Sequence, residues 1–235
     1  MQTRIENLVE DIRQAARRLD REEVSALCRQ LIAEARRRRL PDGAGVSVLK
    51  VLQRKRYFDL LQAVAEALIH TDQATLGVRR RWVQSLIDQN RLDQALREAE
   101  RLIADTVGDE DEHPEARGLK GRALKQRYVA ACTRGAPDAA ALRDAVRTYA
   151  DAYYEAPGTR VWHGINTVAL LSRARRDGVT VAARETPRQI AEALLKRVDD
   201  EGAAMDAWAM ASGLEACVAL GDREGAIRWA NGYAA

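Results

Sequence analysis

Apolar residues return every three or four positions along most of the chain. Ile5, Leu8, Val9, Ile12, Ala16 and Leu19 do so over residues 3–19, and Val24, Leu27, Cys28, Leu31 and Ile32 over 21–38. That spacing gathers them on one face of a helix. Asp20 stands between the two runs as an N-cap. The break LPDGAG, 40–45, sets an N-terminal helical hairpin, 1–40, apart from a second region, 46–235. There the same rhythm predicts helices over 46–55, 57–69, 74–88, 92–106, 114–132, 139–156, 160–175, 187–200, 205–219 and 223–233. Thr186 followed by Pro187 is an N-cap and first-turn pair. The longest connection, 175–186, is expected to hold at most a short extended piece. No segment sustains period-two alternation, so the expected fold class is all-α without a sheet.

Composition supports this reading. The five prolines fall where the helical pattern breaks or begins, as they must when a proline inside a helix costs about 3 kcal/mol. A chain that is 46% hydrophobic and 31% charged can bury a core and remain in solution.

The segments also resemble one another. LRDAVRTYADAYYEAP, 142–157, carries Leu142, Ala145, Tyr149, Ala152 and Pro157. Residues 87–103 repeat the pattern with Leu92, Ala95, Ala99 and Leu102, and 218–234 with Ala226, Ala230 and Tyr233. The first alanine lets two helices approach where they cross. An aromatic residue four positions on lies on the same face and fills the space between neighbouring hairpins. A closing proline ends the helix. Only 142–157 has all of these; 87–103 lacks the aromatic and the proline. The first helices are looser, with Trp82 and Leu86, Leu119, Gly121 and Leu124, and Trp208, Gly213 and Cys217.

This rhythm resembles the second helix of the tetratricopeptide repeat, in a degenerate array. A narrower resemblance covers roughly residues 48–234. LQRKRYFDLLQAVAEALI, VRRRWVQSLIDQNRLDQAL, GLKGRALKQRYV, WHGINTVALL and ALGDREGAIRWA occur in this order and look like bacterial relatives of the TRAF-binding region of apoptosis signal-regulating kinases. The resemblance implies a tetratricopeptide-like α-solenoid that regulates or binds partners, of a kind linked to protease or other effector domains in bacterial defence systems. The hairpin 1–40 lies outside it. The last stretch stops inside a repeat's second helix with no polar capping helix after it. Either a longer protein with a downstream effector or a partner covering the last helix is therefore expected.

Charge narrows the function classes. The net charge of +3 is small for 235 residues, yet Arg36 to Arg39, Arg54 to Arg56 and Arg79 to Arg81 form three basic runs, and Asp109 to Glu112 an acidic one. Solvated helix ends and a polar loop account for them; the alternative is a basic surface for an acidic partner or nucleic acid. Without aromatics interleaved among the basic residues, nucleic acid is the weaker partner. Cys28, Cys132 and Cys217 are odd in number and far apart, which reads as reduced thiols of a cytoplasmic protein. No secretory signal and no run of 18 apolar residues occurs, so no membrane span is expected.

Catalytic chemistry finds little support. His70, His113 and His163 are isolated, no paired cysteine motif occurs, and no metal or other cofactor is expected. Phosphate-loop, dinucleotide and hydrolase motifs are absent. Cys132 and His163 could meet on neighbouring helices, but Cys132 has no glycine-rich oxyanion turn beside it. The distinctive polar cluster is LKQRY, 124–128, with WHGIN, 162–166. If helices 114–132 and 160–175 are first helices of adjacent hairpins, Lys125, Gln126, Tyr128, Trp162, His163 and Asn166 share a concave wall. Hydrogen-bonding tips over an aromatic floor suit a peptide carboxylate or another polar ligand. Alternatively, Trp162 is core between repeats and His163 and Asn166 satisfy local backbone groups. Trp82, Trp208 and Trp229 read as core. The expected function is a non-enzymatic interaction or regulatory module with a protein or peptide partner. Homo-oligomerisation through Leu8, Ile12 and Leu27 of the N-terminal hairpin is a second expectation.

Overall fold

A computed structural model describes residues 2–201 and 207–234. The periodic segments fold as helices α1 (Gln2–Arg17), α2 (Arg21–Arg37), α3 (Ala44–Arg54), α4 (Phe58–His70), α5 (Leu76–Asp88), α6 (Leu92–Asp105), α7 (Glu112–Thr133), α8 (Ala139–Glu155), α9 (Val161–Arg176), α10 (Pro187–Glu201), α11 (Ala207–Leu220) and α12 (Arg223–Ala234). Among the described residues there is no strand, and neighbouring helices pack in series as hairpins. The fold is a tetratricopeptide-like array. Helix was also expected at 205–206, which lie outside the described residues. The connection 177–186 is irregular.

Helix starts follow the sequence. Asp20 Oδ1 accepts from the Glu23 amide at 3.0 Å. Thr186 and Gln189 cap each other's backbone amides, at 3.3 and 2.9 Å, so the turn before α10 is a capping box. The acidic run does similar work: Asp109 Oδ1 accepts from the Glu112 amide at 2.8 Å where α7 begins.

Helix ends follow one recurrent closure. Leu19, Arg56, Asp72, Asn90, Gly135, Gly178 and Gly221 all have positive φ, from 54° to 75°. In each case the next amide bonds a carbonyl five residues back, as in Tyr57 to Leu52 at 2.9 Å and Gln73 to Leu68 at 2.8 Å. This is the Schellman geometry. It corrects the reading of Leu19 as part of the apolar face of α1: that residue is the exposed turn.

The chain divides into two compact units, Met1–Leu119 and Lys120–Ala235, the division falling inside α7. In the first, α1 packs on α3 and α2 on α4. Ile5, Leu8, Ile12, Val24, Leu31, Leu49, Leu52 and Leu61 are buried in its core, with Leu27 half-buried against it. This overturns the expectation that Leu8 and Ile12 are exposed for self-association. Gln73 ties the end of α2 to the link between α4 and α5: its Nε2 donates to the Ala35 carbonyl at 2.7 Å, and its Oε1 accepts from the Leu40 amide at 2.7 Å. Several basic-run side chains face acids. Arg38 pairs with Glu34 at 2.7 Å, Arg79 with Asp105, and Arg80 with Glu115 at 3.3 Å.

In the second unit each hairpin closes on a glycine. A Cβ at Gly121 of α7 would lie 2.6 Å from the Tyr149 ring of α8. At Gly164 of α9 it would meet Leu194 of α10 at 2.9 Å, and at Gly213 of α11 the Trp229 ring of α12 at 2.8 Å. The large residue of the second helix sits where the first helix has no side chain.

Candidate functional site

The sequence-derived cluster lies on α7 and α9, and Tyr149 beneath it sets its geometry. That ring is fully buried, seated on Gly121 and meeting Trp162 edge-on at 5.6 Å between centroids. It thus fills the space between the α7–α8 and α9–α10 hairpins, as its position four residues after Ala145 required. Trp162 in turn meets His163 at 5.0 Å. Arg160 anchors the start of α9 by donating to the Ala152 carbonyl at 2.9 Å, across the turn that holds Pro157.

One helical turn after Trp162 stands Asn166. Its Nδ2 donates to the Trp162 carbonyl at 2.9 Å, which leaves Oδ1 to accept from Lys125 Nζ at 2.8 Å. The amide is thereby fixed with its oxygen toward α7. Lys125 is half-buried, and its pKa is held below the usual lysine value, chiefly by burial and next by the Arg122 charge; Glu215 of α11 acts the other way. Among the described residues the ammonium is held by a neutral amide oxygen at short range, with a carboxylate only in its wider field. Lys125 is bonded directly to Asn166, and Asn166 to the Trp162 carbonyl, while the Trp162 ring lies against Tyr149 and His163.

The other three residues stand differently. Tyr128 is buried, and its hydroxyl bonds Asp177 at the end of α9. Burial and that carboxylate push its pKa up to about 12. His163 is buried beneath Trp162, its carbonyl accepting from Thr167 Oγ1 at 2.9 Å. Gln126 is exposed. Trp82 is half-buried against the first unit's core and Trp229 seats on Gly213, but Trp208, read as core, is 72% exposed. Sequence reasoning missed Asp177, Arg122 and Glu215. The usable signal was Gly121, Gly164 and Gly213 on successive first helices, which fixes their relative phase.

Chemically the site can hold an acceptor or an anion at Lys125 beside an aromatic surface. Among the described residues no group of three or more His, Cys, Asp or Glu side chains is placed to hold a metal ion. No helix among them is long and apolar enough to cross a membrane.

A family model described as Tetratricopeptide Repeats-Sensor matches residues 53–171. The chain belongs to this family. The match spans just over half of the 235 residues and contains every residue of the cluster. Membership in the Tetratricopeptide Repeats-Sensor family carries a protein-interaction, sensor or scaffold role, in a fold that is typically non-enzymatic. No curated protein and no solved structure matches the chain.

Proposed function

We propose that this protein is a regulatory interaction module whose Lys125–Asn166–Trp162 site binds a carboxylate-bearing segment of a protein partner. The observation that carries the reading is the half-buried Lys125 ammonium bonded to the amide oxygen of Asn166 rather than to a carboxylate. An ammonium has three donors, and an incoming carboxylate supplies the charge that Asn166 does not. Asn166 holds the lysine in place beforehand, and Trp162 stays half-buried on Tyr149, so little ordering accompanies binding. The partner is an effector, protease-like or other, in a bacterial signalling or defence system of the cytoplasm. Pairing of several basic-run arginines with acids argues against a nucleic-acid surface.

The test is fluorescence polarisation with short labelled peptides ending in acidic residues, each paired with an uncharged form in which the acids are replaced by Asn or Gln and the C-terminus is amidated. Wild type should prefer the acidic form. Lys125→Met should lose at least about tenfold in affinity, the equivalent of one charge-assisted hydrogen bond of about 1.5–3 kcal/mol. Equal binding of both peptide forms, or wild-type affinity in Lys125→Met, refutes the assignment.

A further inference from the structure

The Lys125–Asn166 arrangement has a counterpart in the first unit. A Cβ at Gly45 of α3 would lie 2.7 Å from Leu68 of α4, so Gly45 is the seat of that hairpin as Gly164 is of the α9–α10 hairpin. Two residues after these seats stand Ser47 and Asn166. Each accepts from a cation on the preceding first helix: Arg13 Nη2 of α1 donates to Ser47 Oγ, as Lys125 of α7 donates to Asn166. Arg13 also donates to Glu10 at 3.2 Å, a carboxylate shared with Gln14 at 2.6 Å. Arg13 is half-buried, and its guanidinium keeps further N–H donors. Ser47 Oγ is the acceptor in its bond from Arg13, which leaves its own O–H to donate. Arg13 sits late in α1 and Ser47 in the first turn of α3, so the earlier turns of α1 run on past the point where α3 begins. The link 38–43 walls the other side, and a groove of about 870 Å³ lies between. Ile5, Val9, Leu40 and Pro41 form its apolar part. Arg13, Arg38 and Arg39 bring guanidinium groups to it, Glu6 and Asp42 carboxylates. Arg38 is committed to Glu34 at 2.7 Å. Arg39 is exposed, and among the described residues its guanidinium has neither an ion pair nor a hydrogen bond.

We infer that this groove is a second binding site, for an apolar group that carries a single carboxylate. The carboxylate takes the Ser47 O–H and a spare N–H of Arg13, with the Arg39 charge beside it, and the apolar body lies along Ile5, Val9 and Leu40. Arg13 is fixed beforehand by a neutral hydroxyl, so it is oriented without its charge being spent there. The volume of about 870 Å³ falls within the range of about 300–1,000 Å³ usual for small-molecule sites. Glu6 and Asp42 set the limit on charge. A phosphate or a nucleic-acid backbone would bring further negative charge against them, whereas a lone carboxylate is met by the arginines. Such a group reaches the protein either as a free acid or as the C-terminal residue of a chain. The recognising chemistry is the same for both. It stands on Arg13, Ser47, Arg39 and the groove, and does not depend on what Lys125 binds.

The experiment is isothermal titration calorimetry on the full chain carrying Lys125→Met, so that binding at that residue contributes nothing. The probes are octanoate, octanamide, inorganic phosphate and N-acetyl-Gly-Gly-Leu with a free C-terminus. At least one of the two carboxylates should bind with Kd of about 1 mM or tighter, as a ligand of this size allows. Octanamide and phosphate should bind at least about tenfold more weakly, and so should the carboxylate when Arg13→Gln is added. Arg39→Gln, an exposed change that leaves the core intact, should weaken binding about threefold, and Glu6→Gln, also exposed, should tighten it. Binding of octanoate alone assigns a free acid to the groove, and binding of the peptide alone a chain terminus. Circular dichroism confirms that the variants are folded. The inference is overturned if neither carboxylate binds, if octanamide or phosphate binds equally well, or if binding is undiminished in both arginine variants.

Discussion

Gly121→Ala tests whether aromatic seats hold the second unit together. Alanine at a helix interior is favoured over glycine by about 1 kcal/mol, so propensity alone predicts a gain. The structure predicts the opposite sign. The new Cβ would lie 2.6, 2.8 and 2.9 Å from three ring atoms of Tyr149. That ring cannot retreat, because it is fully buried and backed by Trp162. Overpacking of this kind costs about 1–3 kcal/mol, which offsets the propensity gain and leaves a net loss of up to about 2 kcal/mol. Thermal melts followed by circular dichroism should show Tm falling by about 2–4 °C for each kcal/mol. Gly232→Ala is the matched control: its Cβ meets nothing within 4 Å, so its Tm should hold or rise. In a Tyr149→Leu background the Gly121→Ala penalty should shrink or reverse, as direct contact requires. If Gly121→Ala stabilises the wild type as Gly232→Ala does, the seat does not constrain the hairpin and the register built on it fails.

Other outcomes follow from single features. The Tyr149 hydroxyl is buried with no hydrogen-bond partner among the described residues, so Tyr149→Phe should raise stability by about 0.5–1 kcal/mol in urea denaturation. Gln73→Ala strips bonds from the Leu40 amide and the Ala35 carbonyl and should cost about 1–3 kcal/mol by the same assay. Asp177 is held near a pKa of about 2, first by its hydrogen bond from Arg173 and then by that from Tyr128. Being depressed, it contributes stability that is complete above its ordinary value of 3.8 and fades as pH falls toward about 2. The Tm of Asp177→Asn should depend less on pH across that interval. Lys125 runs the other way: its lowered pKa marks a cost of charge burial, present below the folded pKa and relieved as pH rises toward 10.5. Lys125→Met should therefore melt higher than wild type at neutral pH while binding the acidic peptides less well.

Where helical rhythm was strong the fold was legible in the sequence. The helix expected over 139–156 is α8, Ala139–Glu155, and the burial of Ala145, Tyr149 and Ala152 follows from their spacing. Leu19 was misread because its type fits an apolar face, whereas the backbone needed it as a turn. Trp208 was misread because an exposed tryptophan and a core one look alike when helix phase is open. The Lys125–Asn166 pair was legible as a juxtaposition, since both first helices could be placed on adjacent hairpins. Tyr128 was legible only as an aromatic: its partner Asp177 is 49 residues away, and no local periodicity links them. Likewise Glu215 reaches the field of Lys125 from α11, a relation made by packing alone.

The turn that ends seven of these helices is closed by peptide groups, and four of the seven use leucine, arginine, aspartate or asparagine where glycine would be relaxed. Such a joint is indifferent to the identity of the side chain it carries, apart from about 1–2 kcal/mol of left-handed strain. Exchange of the residue at such a corner therefore costs no more than that strain and keeps the hairpins on either side. The similarity between repeats then erodes first at the corners and last at the buried seats. Divergence of this sort leaves a solenoid whose joints no longer look alike in letters although they remain the same in geometry, and it leaves the exposed surfaces open to new binding duties.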